Sequence, residues 1–234
     1  NIEELKAVRK NVERDELKHH PADFRLWQLN QPAHTQQWDS PWGKGYPGWH
    51  IECSAMSMKY LGEHFDIHTG GNDHINIHHP NEIAQSEAAT GKKFVDYWLH
   101  GAFMKVDNQK MSKSLKNTYL IRDLENHQLK PLVYRYLLLT AHYRSEFNFT
   151  WESVRASQTT LEKWNDFIKR LQKYSGAHSD NEIKGLIEET QGKVNAFLDD
   201  DLNTAEELAE LSNFSRRVNG LIDLQKLSKA DTRE

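Results

Sequence analysis

The sequence has 234 residues, a formal net charge of −4, 37% hydrophobic residues and a mean hydropathy of −0.82. No apolar run reaches the roughly 20 residues that a bilayer requires, so a membrane-spanning segment is excluded. The single cysteine, Cys53, excludes an internal disulfide framework and favours a reducing, cytoplasmic location. Because the net charge is slightly acidic, any nucleic-acid contact should come from local basic patches. The first residue is Asn1 rather than methionine, from which we expect a fragment or a processed chain.

The first part of the chain predicts helices alternating with short strands. Apolar spacing predicts a helix over residues 1–19, whereas residues 21–48 are rich in Pro, Gly, Gln and Trp and should form loops. A second helix is expected over residues 51–61. Three of its side chains should face the protein interior: Met56, Tyr60 and Leu61.

Residues 65–68 are expected to form a short buried strand, followed by a tight glycine loop. Pro80 is a plausible first residue of a helix that runs through Ala89, with Gly91 as its stop. Residues 97–106 should form a strand that leads into the next polar loop.

Apolar helical spacing dominates from residue 131 onward. A helix is expected over 131–143, and a longer one from Trp151 buries a single face. That face comprises Trp151, Val154, Leu161, Trp164, Ile168 and Leu171. Another helix should cover 183–197, and a capping box from Thr204 to Glu207 should open the last one. The fold class predicted is therefore α/β, followed by an antiparallel helical bundle.

Residues 110–114 read Lys-Met-Ser-Lys-Ser, the most informative stretch of the chain. Two lysines three residues apart on a small polar loop form a mobile cationic clamp suited to a triphosphate. The serines between them add hydroxyl donors. A lone Lys-x-x-Lys would more often be an ordinary solvated turn, so the whole pentapeptide carries the prediction.

A cysteine, a histidine and a carboxylate recur at suggestive positions. Cys53 lies in Trp49-His-Ile-Glu-Cys, and His78 and Glu82 lie in His-His-Pro-Asn-Glu, at the start of a predicted helix. Thiolate, imidazole and carboxylate together are a plausible zinc set, although three ligands do not close a tetrahedral site. Cys53 could equally be a small buried side chain and His78 part of a polar helix start.

The glycine loop after the predicted strand reads Thr69-Gly70-Gly71-Asn72-Asp73. Glycines at the end of a strand let a nucleotide approach the backbone, and an acidic side chain can accept a hydrogen bond from a ribose hydroxyl. The same pattern is also a common turn.

Three motifs occur here in one order: Trp-His-Ile-Glu-Cys-Ser-Ala-Met, His-His-x-Asn-Glu-Ile-Ala-Gln-Ser-Glu and Lys-Met-Ser-Lys-Ser. In this combination the chain resembles cysteinyl-tRNA synthetases, which are class I aminoacyl-tRNA synthetases, from about residue 21 to residue 224. The resemblance implies the C-terminal half of a Rossmann-type catalytic domain followed by an α-helical bundle. The activity implied is ATP-dependent activation of cysteine to cysteinyl-adenylate and its transfer to the cysteine tRNA.

The resemblance also implies site residues. Cys53, His78 and Glu82 would be ligands of Zn²⁺ that binds the substrate thiolate, and Trp49 would pack over the bound cysteine. Lys110 and Lys113 would stabilise the triphosphate of ATP, which enters with Mg²⁺. The ATP-binding residues implied are His68, Gly70, Gly71, Asp73, Lys110, Met111, Ser112, Lys113 and Ser114.

The resemblance divides the chain into three parts. Residues 1–104 would be the zinc- and ATP-binding half of the catalytic domain, with 1–45 as a connective segment. Residues 105–150 would be a stem-contact region with the Lys-Met-Ser-Lys-Ser loop, and residues 151–234 a bundle on the anticodon-stem side of the tRNA. Candidate phosphate contacts are Arg144, Arg155, Lys163, Lys169, Arg216 and Arg217.

The chain departs from the family in ways that bear on function. It lacks the early His-x-Gly-His motif, the first zinc cysteine and the anticodon-reading end, so the missing N-terminal half would be a partner and the fragment alone inactive. Thr69, Pro80 and Lys116 stand where the family usually has Gly, Glu and Gly. Two alternatives remain: a cysteine ligase acting on an amino-sugar acceptor, and a non-catalytic zinc- or RNA-binding fragment.

Overall fold

The computed structural model describes residues 18–20, 22–29, 32–177 and 182–233. The helix expected over residues 1–19 falls almost wholly outside these described residues. The chain divides into two compact units, Asn1–Gly101 and Ala102–Glu234, each of which is described by itself. The three-part division expected from the sequence stays a prediction.

The described residues of the first unit form two small sheets and two α-helices. Its elements are β1 (Trp27–Leu29), β2 (Gly45–Pro47), α1 (Trp49–Leu61), β3 (Phe65–Gly71), α2 (His78–Thr90) and β4 (Val95–Gly101). Strands β1 and β2 pair antiparallel, while β3 and β4 pair parallel with α2 as the connection between them. This β-α-β arrangement brings the C-terminal end of β3 and the N-terminal turn of α2 to the same edge of the sheet.

Helix α2 begins two residues before Pro80, so the expectation that Pro80 opens the helix is wrong by half a turn. The ring is accommodated because the first four N–H groups of a helix have no partner within the helix. Gly91 ends the helix as expected: its φ is 70°, and its N–H donates to the Glu87 carbonyl at 2.8 Å. Left-handed backbone favours glycine at this position.

The interior of the first unit is mainly polar. Helix α1 packs against α2 through Ser54, whose Oγ accepts hydrogen bonds from Gln85 Nε2 at 2.6 Å and Ser86 Oγ at 2.8 Å. The small side chain of Ser54 allows this close approach. Met56, Tyr60 and Leu61 are all exposed, so their expected inward orientation is wrong.

The strand expected over residues 65–68 is present within β3, but it is not buried. Ile67 in this strand is 58% exposed, and Tyr97 on the neighbouring β4 is 65% exposed. Parallel sheets are normally covered on both faces. The pair β3–β4 thus presents apolar side chains to solvent within the described part of this unit.

The second unit combines a small sheet with a helical bundle. Its elements are β5 (Met104–Val106), β6 (Gln109–Lys110), α3 (Ile121–Asn126), α4 (Pro131–Leu139), β7 (Phe147–Phe149), α5 (Trp151–Lys173), α6 (Glu182–Asp199) and α7 (Thr204–Asp223). Strand β5 pairs antiparallel with β6 and parallel with β7. The single strand expected over 97–106 is thus two strands, β4 and β5, which belong to different sheets. The fold class is α/β, as predicted.

Two apolar clusters hold the second unit together. One packs α3, α4 and the start of α5 against β5 and β7 around Val106 and Phe149; the other joins α5, α6 and α7 around Phe167 and Leu221. The face predicted for α5 is largely right, but Phe167 is buried while Ile168 is 47% exposed. The two residues are adjacent, and the larger side chain, that of Phe167, is the one that packs into the core.

The turn between α6 and α7 is tied to the segment that follows α4. Asp201 accepts hydrogen bonds from Tyr143 Oη at 2.6 Å and pairs with Arg144 Nε at 2.5 Å. The N-cap of α7 is Asn203, not Thr204 as predicted; the Thr204 hydroxyl instead donates to the Leu139 carbonyl at 2.9 Å. None of the described helices has the length and apolar character that crossing a membrane requires.

Candidate functional site

Three side chains from α1 and α2 converge in the first unit. Each of Cys53, His78 and Glu82 offers one ligand atom, and these atoms all lie within 4.8 Å of one another. His78 and Glu82 are buried and one helical turn apart, because positions i and i+4 share a helix face. Cys53 comes from the facing helix α1. The family resemblance implied these three residues as zinc ligands, and the fold brings their ligand atoms close together.

Hydrogen bonds fix the orientation of Glu82 and His78. Glu82 Oε1 lies 2.7 Å from His78 Nε2, and Glu82 Oε2 lies 2.8 Å from His68 Nε2. The second nitrogen of His78, Nδ1, lies 2.9 Å from His50 Nδ1. Histidine and carboxylate ligands of metals are usually oriented by such outer partners. His50 was not singled out from the sequence, although its place beside Trp49 in the motif is a visible signal.

Burial and neighbouring charges shift the pKa values of two members of the group. Burial, together with the nearby Glu82 and Glu52 carboxylates, raises the pKa of the Cys53 thiol. Burial also lowers the pKa of His78, against the opposing pull of Glu82. A thiol, an imidazole and a carboxylate held this close are the donor set that zinc prefers, and a bound cation would favour the thiolate.

A second possible ligand group shares Glu82. His68 and His79 also place one nitrogen each within 4.8 Å of that carboxylate and of each other. Burial, with the neighbouring His68 and His100, lowers the pKa of His79 to about 3, so this imidazole is neutral near pH 7. His79 Nδ1 lies 2.8 Å from His100 Nε2. Cys53 distinguishes the two groups, since only the first contains the soft sulfur ligand.

Trp49 borders the first group. Its ring centroid lies 5.1 Å from that of His78, nearly edge-on, and 5.5 Å from that of His50 in a stacked arrangement. The indole is 66% exposed. A large flat surface beside the presumed ligands is therefore free to cover a small molecule held there.

The glycine loop lies at the C-terminal end of β3, on the same edge as the ligand groups. A Cβ at Gly70 would come within 2.6 Å of His79 Cε1 and 2.7 Å of His74 Nδ1. The absence of a side chain at Gly70 is thus required by the histidines that pack against it. Asp73 lies in the short 3₁₀ helix Asn72–His74 and has a largely exposed carboxylate.

The Lys-Met-Ser-Lys-Ser motif begins at Lys110, the last residue of β6 in the second unit, and its loop is organised by Asn117. The Asn117 side chain accepts from Ser112 N at 2.8 Å and donates to the Lys110 carbonyl at 3.1 Å. Ser112 Oγ and Ser114 Oγ lie 3.1 Å apart. Asn117 was not among the site residues expected from the sequence, where its only signal is its position just after the motif.

Met111 anchors this loop, whereas its lysines point outward. The half-buried Met111 packs on the apolar cluster around Val106 and Phe149 and lines a cavity of about 230 Å³ beneath the loop. Lys110 and Lys113 are exposed, and neither ammonium has an ion-pair partner in the described part of the chain. Both charges therefore remain available to a ligand that approaches from solvent.

Lys116, where the family resemblance leads us to expect glycine, has a φ of 52°. An L-residue in this left-handed region is strained by roughly 1–2 kcal/mol. We expect Lys116→Gly to raise the free energy of unfolding by about 0.5–1 kcal/mol, because relief of strain exceeds the entropy that glycine adds to the unfolded chain. Thermal denaturation measures this. Lys116→Ala keeps the strain and should leave stability unchanged; equal stabilisation by both variants would contradict the explanation.

The candidate RNA-contacting cations fall into two sets. Arg144, Lys169 and Arg217 pair with Asp201, Asp166 and Glu189 respectively. By contrast, Arg155, Lys163 and Arg216 have no ion pair among the described residues. Lys163 and Arg216 lie across a groove of about 570 Å³ between α5 and α7, which concentrates unpaired positive charge there.

Comparison with known proteins shows the family of this chain. A family model described as the catalytic domain of class I (C) tRNA synthetases matches residues 1–159. The chain is 43% identical to a cysteine–tRNA ligase of Protochlamydia amoebophila over 99% of this chain and 49% of that protein. It is 45% identical to a cysteine–tRNA ligase of Treponema denticola over 90% of this chain and 46% of that protein. The chain thus spans about half the length of the curated relatives it matches.

Solved structures show the same fold at low sequence identity. A complex of LeuRS from Agrobacterium radiobacter K84 with tRNA and LeuAMS superposes with a TM-score of 0.61, at 15% identity, over 84% of this chain and 31% of that one. Methionyl-tRNA synthetase of Mycobacterium tuberculosis with methionyl-adenylate gives a TM-score of 0.57, at 17% identity, over 71% and 36% of the two chains. The architecture is that of class I synthetase catalytic domains.

Proposed function

Because this chain belongs to the class I (C) family of tRNA synthetase catalytic domains, we propose that it forms about half of a cysteine–tRNA ligase. The observation that carries the proposal is the convergence of Cys53, His78 and Glu82 beside the exposed indole of Trp49. A pocket cannot separate cysteine from serine well by shape, whereas a soft ligand can separate them by the sulfur. The relatives named cysteine–tRNA ligase support the same choice of amino acid.

The metal proposed for this group is Zn²⁺, held by Cys53, His78 and Glu82. When bound there, zinc supplies a soft Lewis acid that accepts a thiolate far better than a hydroxyl. His68 and His50 hold Glu82 and His78 in their ligating orientations through the hydrogen bonds described above. Trp49 covers the substrate side chain and excludes water from it.

The reaction proposed has two steps. A cysteine carboxylate oxygen attacks the α-phosphorus of ATP, the bond to the β-phosphate oxygen breaks, and pyrophosphate leaves. A ribose hydroxyl of the terminal adenosine of the tRNA then attacks the carbonyl carbon, and AMP departs with the carboxylate oxygen. Lys113 and Lys110 stabilise charge on the phosphates in the first step, with ATP entering as its Mg²⁺ complex. Gly70, Gly71, Asp73 and the loop serines are proposed to contact the nucleotide.

The apolar surface of the first unit supports a further polypeptide as partner. Ile67 and Tyr97 on the β3–β4 pair are mostly exposed, and so is Tyr60 on α1. A two-stranded parallel sheet needs more strands and cover on its faces. We assign this surface to the remaining part of the same catalytic domain, which would complete the ATP site.

The tRNA is proposed to contact the helical bundle. Lys163 and Arg216 face one groove without carboxylate partners among the described residues, which suits a phosphate backbone. Arg144 and Arg217 are engaged with carboxylates of the bundle and are weaker candidates.

Amino-acid-dependent exchange of pyrophosphate into ATP by the full-length protein tests the proposal. Cysteine should support exchange and serine should not, and cysteine tRNA should then be charged. Charging of an amino-sugar acceptor in place of tRNA would establish the alternative ligase. Absence of exchange with every amino acid, in a protein that binds zinc or RNA, would establish a non-catalytic module.

The basis of cysteine selection can be tested with two variants. Glu82→Gln preserves size but removes a ligand charge, so the ratio of cysteine to serine activation should fall. Trp49→Ala should weaken the binding of cysteine and of serine similarly. Packing of a large side chain contributes about 1.5–3 kcal/mol, and that contribution does not depend on the sulfur atom. A ratio that collapses in Trp49→Ala and survives in Glu82→Gln would mean that shape is the selector.

A further inference from the structure

An open pocket in the first unit is lined by Trp49 and by residues of the segment that precedes it. It has a volume of about 350 Å³ and lies where the β1–β2 segment meets the start of α1. This volume is at the lower end of the range for small-ligand sites. None of Cys53, His78 and Glu82 lines this pocket, and neither do the residues of the glycine loop or the lysine loop.

The walls of this pocket are flat and aromatic. Trp38 and Trp49 both line it, with 52% and 66% of their surfaces exposed. Tyr46 also lines it and is held rigidly, because its ring stacks on His34 with centroids 3.8 Å apart and planes inclined by 10°. Hydrogen bonds from Trp38 N to the Gly45 carbonyl at 2.7 Å, and from Gly45 N back to the Trp38 carbonyl at 3.0 Å, fix the backbone of Trp38.

Two polar side chains of the same pocket lack partners among the described residues. In the described part of the chain, neither the side-chain amide of Gln36 nor the carboxylate of Glu52 has a hydrogen-bond or ion-pair partner. The lining contains no lysine or arginine. A phosphate is therefore disfavoured, while a planar group with an amino donor fits both the aromatic walls and the carboxylate. Carboxylates accept from the exocyclic amino group of cytosine, and aromatic side chains stack on unpaired bases.

The position of the pocket indicates the source of that base. Trp49 lines the pocket and also contacts His78 of the ligand group, so the two sites share one indole. A tRNA that receives cysteine must bring its terminal ribose to the activated amino acid. We propose that this pocket binds a cytosine of the single-stranded 3′ CCA end of the tRNA, stacked on Trp38 with its amino group on Glu52. This inference rests on the proposed function.

Trp38→Ala in the full-length enzyme tests the inference, and Trp42→Ala is the matched control. Trp42 is 70% exposed on the turn at residues 40–43, outside the pocket. In Trp38→Ala the KM for tRNA should rise about tenfold or more, the effect expected for loss of one stacked base. Pyrophosphate exchange without tRNA should be unchanged. Trp38→Phe should restore most of the tRNA affinity, and Trp42→Ala should behave as the unaltered enzyme.

Transcripts with one terminal cytosine changed to uracil give a second measurement. One such change should raise the KM of the unaltered enzyme, and Glu52→Gln should reduce that discrimination. An unchanged KM in Trp38→Ala overturns the inference while leaving the proposed function intact. Equal losses of exchange and charging in Trp38→Ala also overturn it, since the pocket would then belong to packing within the enzyme. Absence of exchange in the unaltered enzyme instead defeats the proposed function itself.

Discussion

Replacing Lys113 by alanine is expected to slow cysteinyl-adenylate formation about a hundredfold or more, with little effect on cysteine binding. Lys113 lies in an exposed turn closed by a hydrogen bond from Lys116 N to the Lys113 carbonyl at 3.2 Å. Its ammonium has no carboxylate partner among the described residues, so no existing ion pair must break when it meets the triphosphate. Loss of one donor that stabilises developing charge typically costs about 10²–10³ in rate.

Single-turnover kinetics of adenylate formation in the full-length enzyme measure this effect. Lys116→Ala is the matched control, because it removes a lysine from the same loop at a position outside the five-residue motif. The loop frame should survive both substitutions, since Asn117 bonds to backbone groups of Ser112 and Lys110. An unchanged activation rate in Lys113→Ala would show that this side chain stays in solvent during the reaction.

Replacing Cys53 by alanine is expected to remove most of the zinc from the full-length protein. Cys53 is the only sulfur ligand of its group. Loss of a residue that merely hydrogen-bonds to a ligand lowers metal affinity about 10- to 100-fold, and loss of a direct ligand should lower zinc affinity more than that. Metal analysis after dialysis, with zinc titration of the stripped protein, measures the change. Activation of cysteine should fall along with zinc content.

His79→Gln distinguishes the two ligand groups that share Glu82. If zinc is held by Cys53, His78 and Glu82, this variant should retain zinc, because His79 belongs only to the second group. Loss of zinc from His79→Gln together with full zinc content in Cys53→Ala would assign the metal to His68, His79 and Glu82 instead. The thermal stability of each variant separates loss of a ligand from loss of folding, since His79 is 3% exposed and packs against Gly70.

The polarity of the first unit links these results to the fold. Its buried side chains include Ser54, His78, Glu82 and Ser86, whereas its larger apolar side chains are often exposed. Buried polar groups must be hydrogen-bonded or bound to a cation, or they destabilise the fold. We therefore expect stripping of the metal to destabilise this unit more than the apolar-cored helical unit.

The secondary structure was predictable where local signals were strong. Apolar spacing from Trp151 located α5, and Gly91 marked the end of α2. The order of strands and helices followed only in part from apolar patterning. Residues 21–48, expected to form loops, contain the paired strands β1 and β2, so that expectation is wrong. The Lys-Met-Ser-Lys-Ser loop could be identified directly, since all five of its residues are contiguous.

Local sequence patterns could not decide which side chains are buried. Met56, Tyr60 and Leu61 have helical spacing and suggested a buried face, yet α1 packs through Ser54 because Gln85 and Ser86 on α2 donate to its hydroxyl. Phe167 rather than Ile168 is buried for a similar reason, because the neighbouring helices α6 and α7 determine which face of α5 is covered. An amphipathic period shows that a face exists, while the partner element selects which face is covered.

The sequence by itself determined the family resemblance, the α/β-then-helical order and the chemical types of the candidate ligands. Only the tertiary structure decided that Cys53 meets His78 and Glu82, and that His68 and His79 form a second group around the same carboxylate. It also decided that Trp49 both contacts His78 and lines an aromatic pocket. The physical reason is that ligand geometry depends on the distance between two helices. That distance is set by side-chain packing between segments about 25 residues apart, which no local pattern encodes.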